Sequence, residues 1–165
     1  MLVIFGGLPG TGKSTLALRL AGQVGAVYLR IDTIERAIVA GEEDLSVGEK
    51  GYRVAYAVAE DNLRVGHTVV ADSVNPLQIT RSAWRRVAER VGVKPVEIEV
   101  VCSDQAEHRH RIETRAVDVP VTWDEVVTRR FEAWDEEHIR IDTAGQSVEQ
   151  SFAVLQQMLA VRLRL

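Results

Sequence analysis

A chain of 165 residues with a formal net charge of −4 has the length for one domain with a self-sufficient core, and its acidic balance argues against a general polyanion binder. Cys102 is the only cysteine, which excludes an internal disulfide and a thiolate zinc cluster and fits a reducing, cytosolic setting. No apolar run approaches the ~20 residues that span a bilayer, and the amino terminus shows no leader pattern, so a soluble intracellular protein is expected.

The apolar run Leu2 to Phe5 reads as a first strand. It leads into "GLPGTGKST" and a helix, Lys13 to Gln23, with Leu16, Leu20 and Val24 on one stripe. A second strand, Ala26 to Arg30, ends close to Asp32, with a helix over Thr33 to Ala40. Gly41 to Lys50, acidic and glycine-containing, resists assignment. Tyr52, Tyr56, Ala59 and Leu63 mark the next helix, which stops before Gly66. Thr68 to Ala71 is a third strand, closed by Asp72; Asn75 and Pro76 read as the N-cap and first position of a helix to about Val91.

Val96 to Cys102 and Ile139 to Ile141 are the fourth and fifth strands. Between them Ala116 to Val121 is a second unassigned connection, and Thr122 with Glu125 has capping-box spacing. Ser147 with Gln150 repeats that spacing ahead of a last helix whose Val148, Phe152, Leu155 and Leu159 read as core contacts. Strands alternating with helices throughout, without linker or repeat, predict a single α/β domain over residues 1–165 with a mainly parallel sheet.

The glycine stretch satisfies G-x-x-x-x-G-K-[ST] between a strand and an amphipathic helix. A polyphosphate needs converging backbone N–H groups, which side chains would block. Glycine at positions 7, 10 and 12 clears that space. The cradle runs through Gly7, Leu8, Pro9, Gly10, Thr11 and Gly12 and closes on Lys13, Ser14 and Thr15. The unpaired N–H groups and positive dipole end of the following helix add to it. Lys13 would add a full charge near the β- and γ-phosphates, Ser14 would offer its hydroxyl to Mg2+, and Thr15 would be able to contact the α-phosphate side.

Asp72 at a strand end fits a Mg2+ partner, or else a turn-capping carboxylate. Hydrolytic motors place glutamate next to this aspartate; here the neighbour is Ser73, and no N-K-x-D guanine signature is present. Asp32, beyond the second strand, would share a crevice with the cradle, where it can take the proton of an attacking hydroxyl or cap the following helix.

"GLPGTGKST", "IDTIERAI" and "VVADSVNP", in this order, resemble the small P-loop kinases that include zeta toxins, chloramphenicol phosphotransferase and polynucleotide 5′-kinases, a group also described as AAA-type ATP-binding proteins. The resemblance implies a three-layer P-loop NTPase fold: a five-stranded parallel sheet flanked by helices, with a kinase-type lid near residues 105–121 and a substrate cap. It matches Asp32 to the acceptor-activating aspartate, Lys13 and Ser14 to the nucleotide and metal residues, and Arg111 and Arg115 to the lid pair. The alternative for the two arginines is surface pairing with Glu107 or Glu113. Arg36, one turn after Asp32, either holds the acceptor or is solvated, and Asn75 falls on the expected acceptor wall. Thr143 to Gly145 fall where related kinases pass a loop along the adenine. His67, His108 and His138 lack metal spacing and read as surface or capping residues.

The expected activity is Mg2+-dependent transfer of the γ-phosphate of ATP to a hydroxyl of a small molecule. Two alternatives stand beside it: a polynucleotide 5′-hydroxyl kinase, with Arg81, Arg85, Arg86 and Arg90 as the sole candidate basic groove, and a non-catalytic ATP-binding regulator.

Overall fold

The computed structural model describes residues 1–40, 49–116 and 120–163. Twelve elements follow one another: β1 (Leu2–Gly6), α1 (Lys13–Val24), β2 (Val27–Arg30), α2 (Ile31–Ala40), α3 (Lys50–Arg64), β3 (Val69–Asp72), α4 (Gln78–Val91), β4 (Pro95–Val101), α5 (Gln105–Thr114), α6 (Trp123–Val127), β5 (Ile139–Asp142) and α7 (Val148–Leu163). The five strands are all parallel, in the order β2-β3-β1-β4-β5. The expected five-stranded α/β architecture is the one observed.

Side-chain alternation along β1 explains the three layers. Val3 and Phe5 point into a core closed by Leu16, Leu20, Phe152 and Leu155 of α1 and α7. Leu2 and Ile4 point into the opposite core, closed by Ala55, Ala59, Leu63, Trp84 and Val87 of α3 and α4. Both faces are covered, so β1 is apolar throughout and β3 is apolar up to Asp72, while β4 alternates, with Val96, Ile98 and Val100 in the first core and Glu97 and Glu99 on the opposite face. Parallel register then fixes the C-terminal edge: Phe5 and Arg30 both stand opposite Asp72.

Four local expectations fail, each for a physical reason. Asn75 is not an N-cap: α4 starts at Gln78, while Asn75 is fully buried with φ 48°. Its backbone N–H donates to Tyr52 Oη at 3.0 Å, and its carbonyl accepts from Arg81 Nη1 at 3.3 Å, so tertiary contacts override the Asn-Pro capping signal. Asp32 lies within the first turn of α2, which begins directly at Ile31, rather than ahead of it; the carboxylate still complements the helix dipole. Val24 and Val148 are exposed at 45% and 42%, because each lies at a helix end beyond the reach of the sheet. Both capping boxes form, at Thr122/Glu125 and Ser147/Gln150. Most of the Gly41 to Lys50 stretch and the centre of Ala116 to Val121 lie outside the described residues.

Candidate active site

β1 ends in the glycine cradle. Gly7, Gly10 and Gly12 have φ of 147°, 84° and 89°, the positive values that the loop needs and that L-residues rarely adopt. The loop is also gripped from outside. Gly7 N–H donates to the Val74 carbonyl at 3.0 Å, and the Thr11 hydroxyl donates to the Leu8 carbonyl at 2.9 Å. A Cβ at Gly7 would lie 2.2 Å from the Val100 carbonyl oxygen of β4. Gly7→Ala is therefore expected to lower stability by about 3 kcal/mol, or ~6–12 °C in Tm by calorimetry. An unchanged Tm would contradict this packing of cradle on sheet.

α1 opens without a side-chain cap or an acidic first turn, leaving its leading N–H groups for an anion. Lys13 is 7% exposed. Burial pushes its pKa below the ordinary value; Asp72 and then Asp32 oppose that shift, and Arg30 and Arg115 reinforce it. These five side chains, from α1, α2, β2, β3 and the end of α5, thus share one electrostatic site. Three of the sequence-derived assignments meet Lys13 there: Asp32, Asp72 and Arg115.

Asp72 is 1% exposed. Its Oδ2 accepts from the Tyr28 hydroxyl at 2.7 Å and lies 4.0 Å from Arg30 Nε. Burial first, and then the Asp72 carboxylate, hold the Tyr28 phenol well above its usual range, so it stays a donor. Asp72 Oδ1 is buried and has no hydrogen-bond partner. A buried carboxylate oxygen without a partner is a hard oxygen of the kind Mg2+ accepts alongside phosphate oxygens and water, and Ser14, in the first turn of α1, is the other residue that could hold the ion. Among the described residues no group of three or more His, Cys, Asp or Glu could hold a metal by itself.

Asp32 faces outward from this cluster, 3.4 Å from Arg30 Nη2. It lines a cleft of about 540 Å3 between α2, α3 and α4, with Glu35, Tyr52, Tyr56, Val74 and Pro76 among its walls. Burial and then Asp32 raise the Glu35 pKa against the pull of Arg129. Arg36 is exposed and is not among the described residues lining the cleft; Asn75 is buried behind the wall formed by its neighbours Val74 and Pro76.

The two arginines expected to form a lid pair part company. Arg115, at the end of α5, is half-buried; burial lowers its pKa and Asp32 opposes the shift, while its Nε is buried without a partner. Arg111 instead donates to Thr143 Oγ1 at 2.8 Å, to the Thr143 carbonyl at 2.9 Å and to Glu107 at 2.5 Å. Glu107 also accepts from Gly145 N–H at 2.8 Å, and the Thr143 hydroxyl donates to the Thr11 carbonyl at 2.9 Å. Glu107, Arg111 and Thr143 thus tie α5, the loop after β5 and the cradle together.

Sequence reasoning missed Tyr28, Arg30 and His108. His108 is buried rather than a surface residue, its Nε2–H donating to the Pro9 carbonyl at 2.7 Å and its ring meeting Trp123 edge-on. A Cβ at Gly10 would meet Ile112 at 2.7 Å, so α5 packs directly on the cradle. The candidate basic groove does not assemble. Arg81 is fully buried over the Trp134 ring, Arg85 pairs with Glu97 at 2.6 Å and the exposed Arg90 with Glu60 at 2.6 Å, while the exposed Arg86 lies on the wall of the cleft.

A parallel β2-β3-β1-β4-β5 sheet with a glycine cradle, its lysine and a carboxylate on the neighbouring strand defines an α/β P-loop NTPase of kinase-like build. The chain belongs to the AAA domain family (AAA_33), whose sequence profile matches residues 2–138. It is 31% identical to a shikimate kinase of Geobacter sulfurreducens over 89% of this chain and 84% of that one. It is also 32% identical to an uncharacterized protein of Mycobacterium tuberculosis over 93% of this chain but 34% of the relative. The chain thus spans about a third of the length of the mycobacterial relatives it matches. Among solved structures, a putative kinase from Chloroflexus aurantiacus superposes with a TM-score of 0.75 at 22% identity, covering 99% of this chain and 97% of that one. The Mycobacterium tuberculosis APS kinase in complex with AMPPNP and APS superposes at 0.67, with 22% identity over 95% and 96%. At these identities the superpositions establish the fold, and the resemblance to small P-loop kinases read from the sequence holds.

Proposed function

We propose that the protein is a Mg2+-dependent phosphotransferase that moves the γ-phosphate of ATP to a hydroxyl of a small molecule held in the 540 Å3 cleft. The observation that carries this reading is the position of Asp32: it lines the cleft and is electrostatically coupled to Lys13 at the phosphate cradle. A carboxylate between the two sites takes the acceptor proton as the acceptor oxygen bonds to the γ-phosphorus and the bond to the ADP oxygen breaks. Lys13 and the backbone N–H groups of the cradle hold the phosphates, and Arg115 offsets charge from the lid side. Ser14 and Asp72 would hold Mg2+, which would supply further charge neutralisation at the phosphates. Thr143 and Gly145 form the loop beside the adenine. The nucleotide complexes of APS kinase support the choice of ATP. Engagement of Arg81, Arg85 and Arg90 within the protein favours a small molecule over a polynucleotide.

ADP release from ATP·Mg2+, measured across a panel of hydroxyl metabolites, tests the reading. Acceptor-dependent turnover with a phosphorylated product is expected. ATP consumption that is the same with and without every acceptor would overturn it.

A further inference from the structure

Arg30, the last residue of β2, has no role in the sequence reading, yet it sits at the centre of the site. Tyr28 and Arg30 alternate onto the same face of the sheet and both reach Asp72. Arg30 lies 3.4 Å from Asp32 and 4.0 Å from Asp72, and its Nε is buried without a partner. Those separations are long for a charge-assisted bond. In the same molecule Arg85 meets Glu97 at 2.6 Å, and Arg111 makes three hydrogen bonds of 2.5–2.9 Å to Thr143 and Glu107. Arg30 is therefore placed between two carboxylates without being locked by either.

The charge balance points the same way. Three cations, Lys13, Arg30 and Arg115, share the site with two carboxylates, Asp32 and Asp72. An excess of positive charge in a partly desolvated pocket disfavours the empty state, and a polyanion relieves it. Arg111, held by Thr143 and Glu107, is directed to the base-side loop instead.

We infer that Arg30 is the arginine that contacts the γ-phosphoryl oxygens of bound ATP, with Arg115 as its counterpart from the lid. This rests on the kinase reading above. As the bond from the γ-phosphorus to the ADP oxygen breaks and the bond to the acceptor oxygen forms, with the acceptor proton passing to Asp32, Arg30 offsets charge on the three equatorial oxygens. It adds no proton and takes none.

The contact concerns the γ-phosphate alone, so it can be read without knowing the acceptor. Dissociation constants for AMPPNP·Mg2+ and ADP·Mg2+ are measured by calorimetry for the wild-type chain, Arg30→Met and Arg30→Lys. Arg30→Met is expected to weaken AMPPNP at least ~10-fold more than ADP, and Arg30→Lys, which keeps the charge but loses the fork, to fall between. A purely structural bridge between Asp32 and Asp72 predicts equal losses for both nucleotides. Equal losses, or none, in a wild-type background that binds both nucleotides overturn the Arg30 assignment and leave the kinase reading standing. A wild-type chain that binds neither overturns both. If Arg30→Met does not fold, the same ratio in Arg30→Lys decides, because an unchanged ratio there removes the bidentate phosphate contact.

Discussion

Lys13→Ala is expected to weaken ATP·Mg2+ binding at least ~30-fold, the equivalent of about 2 kcal/mol for a charge-assisted contact to phosphate. Lys13 is buried at the mouth of the cradle, where no neighbouring cation can take its position: Arg30 stands toward Asp32 and Asp72, and Arg115 enters from the lid. Stability should respond differently from binding. Burial lowers the Lys13 pKa, so between that lowered value and its ordinary 10.5 the unfolded chain holds the proton more tightly than the folded one. In that window the Lys13 contribution to stability rises with pH, and below it the buried ammonium is a net cost to the unliganded fold. Removing the charge should therefore leave the Tm of the unliganded protein unchanged or slightly raised while binding collapses. Isothermal titration paired with a melting curve reads both, and wild-type affinity in the variant would remove the cradle assignment.

The same physics explains which parts of the molecule were legible in sequence. β1 and β3 could be found because a sheet covered on both faces demands apolar runs, and β2, β4 and β5 because their apolar residues recur at every second or adjacent position despite Arg30, Glu97, Glu99 and Arg140. Asp32 and Asp72 could be found because each interrupts or follows such a run at a strand end. Tyr28 and Arg30 could not: their partner, Asp72, lies more than 40 residues away, and only the parallel register of β2 with β3 brings them together. In α5, "QAEHRHRIET", only His108 and Ile112 are buried, four residues apart in a polar helix, and what buries them is the cradle at Pro9 and Gly10 together with the Trp123 ring. A contact made to glycine leaves no signature in the glycine's own neighbourhood. Asn75 misled for the opposite reason. Asn-Pro is a sound local capping signal, but here Tyr52 and Arg81 claim the Asn75 backbone, and the helix starts three residues later. Arg81 likewise reads as a surface charge until Trp134 and the carbonyls of Asn75 and Ala133 enclose it.

Asp32→Asn separates chemistry from binding. The substitution keeps the size and position of the side chain, at the first turn of α2 and on the wall of the cleft, and removes its negative charge and with it the ability to accept a proton. Nucleotide affinity should change by no more than about threefold, since Asp32 meets Lys13 through space and Arg30 at 3.4 Å rather than the phosphates themselves. Transfer to the acceptor should fall at least ~10²-fold, the usual contribution of a positioned base. Acceptor KM should move little by comparison, because Glu35, Tyr52 and Tyr56 remain to shape the cleft. A loss concentrated in kcat, with ADP and AMPPNP affinities retained, marks a group that acts on the reacting hydroxyl. A loss of nucleotide affinity of the same size would mark Asp32 as part of the phosphate site instead, and intact transfer would show that the acceptor hydroxyl needs no base at this position.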